Sequence, residues 1–155
     1  MPDGLYDRDI VLWSEQHADR LRRMAAGERV NDVDWVNLIE EVEAIGRSEQ
    51  RAVESLLIHA MQHLLKIAAW PEHTAREHWR NEIAAFVANA QHAYTPSMRQ
   101  RIDIDVLWLH ARRAVQQMRM DGQPPGATPA DCPYRLDDLL DPAASIDALV
   151  VRLLS

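Results

Sequence analysis

Two histidines four residues apart, His59 and His63, are the pair in this chain whose type and spacing could do chemistry. Side chains at i and i+4 project from one side of a helix, so the two imidazoles could grip one metal ion. Glu41, at the border of the apolar face of the preceding helical segment, could add a carboxylate. His17, which interrupts an apolar stripe near the N-terminus, could add a fourth ligand, because helical bundles hold metals between facing helices. The order of these residues is not the paired Glu-x-x-His motif of di-iron carboxylate proteins. The plainer reading, which the sequence favours, needs no metal and no turnover. In it His63 or His17 donates a ring proton to a carboxylate or backbone carbonyl and fixes helix register, since buried polar groups require such partners.

No other pattern completes a catalytic signature. GxSxG, the Walker loop, GxGxxG after a strand and HExxH are all missing from the sequence. Cys132 is followed by Pro133 in a loop, with no nearby basic or helix-N-terminal feature to make a reactive thiolate, and is read as a packing residue. His73 and His78 bracket a helix start and read as terminal packing residues, and His92 and His110 as surface or boundary residues. No cofactor is expected, and a small helical enzyme or metal protein using Glu41, His59, His63 and His17 stands as the alternative to a noncatalytic function.

The elements that must position these residues are helices. Apolar residues recur at three- and four-residue spacing almost throughout the first 120 positions, with breaks expected at Gly27, Gly46, Pro71 and Pro96. A first helix starting near Asp7 aligns Ile10, Trp13, His17, Leu21 and Met24. Asp34 is the expected N-cap of a second, with Val33 and Leu38 as its hydrophobic staple, and Trp35, Leu38, Val42 and Ile45 are expected to face inward. Gly46 either ends that helix, with Ser48 able to cap a new start, or lies within a continuous one. From about Glu49 to Trp70 the sequence is apolar over most of a helical circumference, which marks a central buried helix. A capping box from Thr74 to Glu77 opens a fourth helix, and Thr95 with Pro96 opens a fifth.

The stretch DGQPPGATPADCP then holds four of the eight prolines and reads as a loop. Beyond it, PYRLDDLLDP and a last helix after Ser145 carry apolar residues that need a surface, either the same bundle or a second subunit. The expected fold class is all-α: an antiparallel bundle of about five main helices in a single domain, 1–155. Within it, 1–122 form the main bundle, 123–134 the loop, and 135–155 C-terminal elements docking on the bundle or a partner.

Composition bounds the function. An apolar fraction of 47% and a charged fraction of 26% are ordinary for a folded protein. The formal net charge of −7 works against nonspecific nucleic-acid binding, which depends on cations neutralising phosphates. No apolar run approaches the roughly 20 residues of a membrane span, so no membrane partner is expected, and a single cysteine suits a reducing, cytoplasmic setting. A protein partner or a homo-oligomer is the remaining expectation.

The opening LYDRDIVLW, DWVNLIEEVEAIGRSE, the HLLK run from His63 to Lys66, Trp79, TPSMR and CPYRLDDLLDP together, in this order and spacing, resemble the bacterial domain of unknown function family twenty-nine (DUF29). The resemblance covers about nine-tenths of the chain, and the segment from Ser145 to Ser155 looks like an extension beyond the usual end. It implies a small all-helical bacterial protein and transfers no catalytic residue. The function expected is therefore a noncatalytic module for protein interaction or self-association, through an apolar groove beside the C-terminal segment.

Overall fold

The computed structural model describes residues 3–155, and every regular element among them is helical; a lone antiparallel bridge joins Met120 and Gln123. The elements are α1 (Leu5–Arg8), α2 (Ile10–Ala25), α3 (Trp35–Ala69), α4 (Arg76–Ala93), a 3-10 turn (Pro96–Met98), α5 (Ile104–Gln116), α6 (Leu136–Leu140) and α7 (Ile146–Leu154). The chain divides into two compact units, 1–48 and 49–155, and the division falls within α3.

Within the first unit, Gly4 takes a left-handed conformation ahead of α1, and Asp9 caps α2 by accepting the Leu12 N–H at 3.0 Å. Helix α2 ends at Gly27, whose φ of 88° only glycine adopts cheaply, and the Glu28 N–H returns to the Arg23 carbonyl at 3.0 Å. Asp34 caps α3 as expected, accepting the Asn37 N–H at 3.3 Å. Helix α3 then runs unbroken through Gly46 and Ser48 for 35 residues, so the expected five main helices are four. A glycine inside a helix costs about 1 kcal/mol relative to alanine, a penalty that a helix this long absorbs.

The second unit holds the main core. Val53, Leu57, Met61 and Leu64 of α3 are sealed with Trp79, Ile83 and Val87 of α4 and with Trp108, Ala111 and Val115 of α5. Two expected helix starts differ from those observed. The Thr74 to Glu77 capping box does not form; α4 begins at Arg76, and the Ala75 N–H is accepted by His73 Nδ1 at 3.0 Å. Thr95 and Pro96 open only the 3-10 turn, whereas α5 begins at Ile104 under Asp103, whose Oδ1 accepts the N–H groups of Asp105 and Val106. The aspartate is the better cap because its charge also complements the positive end of the helix dipole.

The Pro/Gly-rich loop is held by helix ends and indoles. The Gly126 N–H donates to the Ala69 carbonyl at 2.8 Å, satisfying an acceptor that the end of α3 leaves open. Trp70 donates to the Gln123 carbonyl at 3.2 Å, and Trp108 to that of Pro129 at 3.1 Å. Tyr134 is buried and donates to the Leu149 carbonyl at 2.6 Å. Leu149, Val150 and Leu153 of α7 are buried, so the last helix finds its partner surface inside its own unit.

Candidate functional site

The sequence-derived site residues fall in both units, His17 and Glu41 in the first and His59 and His63 in the second. Glu41 lies on the same continuous helix as His59, eighteen residues and about five turns before it, rather than on a preceding helix that could fold back. Its carboxylate instead accepts the Tyr6 hydroxyl at 2.5 Å. Holding the hydroxyl proton in that bond, Glu41 raises the pKa of Tyr6.

His17 belongs to a different cluster, where α2 meets the start of α3. Trp13 and His17 are its buried pair, stacked at 4.3 Å between ring centroids. His17 Nε2 accepts the Asp34 N–H at 3.0 Å, so the ring proton sits on Nδ1 and donates to the Trp13 carbonyl at 3.0 Å. Arg20 donates to the same Nε2 at 3.3 Å. Asp34 accepts the Asn37 side-chain amide at 2.7 Å and the Trp13 indole N–H at 3.3 Å. The Asn37 amide and the indole hold the Asp34 carboxyl below the usual aspartate range. A polar cleft of 330 Å³, lined by residues that include Gln16, His17, Arg20, Asp32 and Asp34, opens beside the cluster. Every polar atom of the His17 ring is occupied, which makes it a clamp for the turn into α3.

His59 and His63 lie together on α3 as spacing required, each ring against Phe86 of α4 at 5.2 and 5.3 Å. Each donates Nδ1–H to the carbonyl four residues back, His59 to Ser55 at 2.7 Å and His63 to His59 at 2.8 Å. Rings held alike in this way stand about one helical repeat, roughly 6 Å, apart along the axis. The bond to the carbonyl occupies Nδ1 alone in each ring, and metal-bound histidines commonly donate their other ring N–H to a carbonyl in this way. Burial pushes the His63 pKa down, and Lys66 acts in the same direction. Among the described residues no group of three or more His, Cys, Asp or Glu side chains could hold a metal. Cys132 is a protonated thiol, its pKa pushed up to about 11 by burial, and it donates to the Tyr134 carbonyl.

What the sequence reading missed is an exposed apolar face. Trp35, Val42 and Ile45 were expected to point inward, yet these three, with Val36 and Ile39, are 51–79% exposed, and Leu38 is only partly covered. Nine of the thirteen large apolar side chains exposed among the described residues belong to the first unit, whose buried residues are Trp13 and His17 alone. Trp35, Ile39, Val42 and Gly46 follow a 4-3-4 spacing, the signature of a helix that packs along a second helix. The stripe was legible; what covers it was not.

Comparison with known proteins agrees with this architecture. A crystal structure of an alpha-helical protein of unknown function from Rhodospirillum rubrum is similar at 31% identity, with a TM-score of 0.69 and 96% of each chain covered. No curated protein matches the chain. No helix among the described residues is long and apolar enough to cross a membrane. Residues 5–144 match the family model described as domain of unknown function DUF29, ending where the C-terminal extension was expected to begin, and the chain belongs to that family.

Proposed function

We propose that this protein is a noncatalytic, cytoplasmic interaction module whose docking surface is the apolar face on the first half of α3. The observation that carries this reading is the row Trp35, Ile39, Val42 and Ile45, exposed along one side of a helix in a unit with only two buried residues among those described. Contiguous apolar surface of this kind marks an interaction site far more often than scattered exposed side chains do. His17 and His73 each spend both ring nitrogens on structural hydrogen bonds, which suits a structural role for these two.

The surface differs from the groove beside the C-terminal segment that the sequence suggested. Helix α7 turns Leu149, Val150 and Leu153 into its own unit, which favours the α3 face over the C-terminal segment as the docking surface. A photo-crosslinking amino acid at position 42, introduced in cells, is expected to yield a covalent protein adduct on irradiation. The same group at Ala85, on the exposed side of α4, is expected to yield none. No adduct from position 42, or equal adducts from both positions, would overturn the reading.

A further inference from the structure

Resting on that reading, we infer that the occupant of the α3 face is a second copy of this chain, paired antiparallel through the same stripe. The stripe is self-complementary in size. Trp35 stands at one end and Gly46 at the other, and a Cβ built on Gly46 meets nothing within 4 Å. A two-fold axis between residues 40 and 41 lays each Trp35 indole over the bare Gly46 of the other copy. The same axis sets Ile39 against Val42 and brings Leu38 beside Ile45. Antiparallel helix pairs pack in such alternating layers, and a two-fold contact uses one patch twice.

Charge fits the same arrangement. The acids nearest the axis are already engaged within their own chain: Glu40 and Glu43 with Arg47 at 2.6 and 3.8 Å, and Glu41 with the Tyr6 hydroxyl. Arg47 thus offsets part of the acid charge that a second copy brings near the axis, and the Tyr6 hydroxyl draws the Glu41 carboxylate to its own chain. The exposed side chains of the stripe supply an apolar centre, and a polar rim around it is needed to reach the roughly 800 Å² per partner of a standard interface. The glycine in mid-helix also gains a reason. In one chain alone it only weakens α3, whereas in the pair it is the socket for an indole.

Sedimentation equilibrium of the full chain tests the pairing. A concentration-dependent dimer is expected. Gly46→Gln, which suits a helix and fills the socket, is expected to weaken the dimer about tenfold or more while helicity stays equal or rises. In a Cys132→Ser background, mixed Ile39→Cys and Val42→Cys chains are expected to form the 39–42 disulfide in preference to either self-linked species. Self-linkage of each variant alone, or a dimer indifferent to Gly46→Gln, would overturn this register. A native chain that stays monomeric but is still crosslinked from position 42 to a different protein would remove the second copy and leave the interaction reading standing. A monomer with no adduct would remove both.

Discussion

At the level of single residues, the histidines separate by how their nitrogens are spent. His17 is buried with both ring nitrogens engaged, so replacing it with alanine removes packing and leaves the Asp34 N–H and the Trp13 carbonyl without those partners. A cavity plus an orphaned donor predicts a loss of about 2–3 kcal/mol for His17→Ala, read by chemical denaturation followed through tryptophan fluorescence. A change within about 0.5 kcal/mol, the range of an ordinary surface substitution, would contradict the clamp. His63 makes a pH-dependent prediction instead. Its pKa is lowered chiefly by burial, so the folded state holds its proton less tightly than the unfolded chain. Stability is then fully present above the ordinary histidine value of about 6.5 and falls as the pH drops from there through the lower folded value. Thermal midpoints compared across that window are expected to decline in the native chain and to decline less in His63→Gln; parallel curves would refute the assignment.

Among the elements, legibility in the sequence tracked whether a residue's environment was set by its own neighbours. Asp34 as a cap and the buried central stretch of α3 follow from local spacing and were readable. The start of α5 was not, because Thr95–Pro96 and Asp103 are both acceptable openings, and burial of Met98 and Ile102 selects the later one. Gly46 was ambiguous since its cost depends on how much helix lies on either side. The Glu41, His59 and His63 grouping failed for the same reason: with α3 unbroken, residues expected on facing helices share a single one. The apolar stripe from Trp35 to Ile45 was recognised as a packing face, but periodicity reports only that a face is apolar. Whether the chain itself or another molecule covers it is a tertiary fact.

For the molecule as a whole, the two units differ in what they bury, and that difference decides what truncation should do. Helix α7 places Leu149, Val150 and Leu153 in the core of the 49–155 unit, tied through Leu149 to Tyr134. Burying side chains of this type contributes about 1.5–3 kcal/mol each, so removing residues 145–155 forfeits on the order of 5 kcal/mol, comparable with the entire stability of a small domain. The deletion is therefore expected to abolish or sharply lower the cooperative unfolding transition of the 49–155 unit, measured by circular dichroism in denaturant. Val151→Glu, on the exposed side of the same helix, is expected to change it by no more than about 0.5 kcal/mol. A deletion variant that unfolds like the native chain would show that α7 is an appendage, free to serve a partner. If instead it unfolds as expected, the C-terminal helix is already committed within its own unit. The surface left without a partner is then the one in the 1–48 unit, where the side chains that should make a core lie open to solvent.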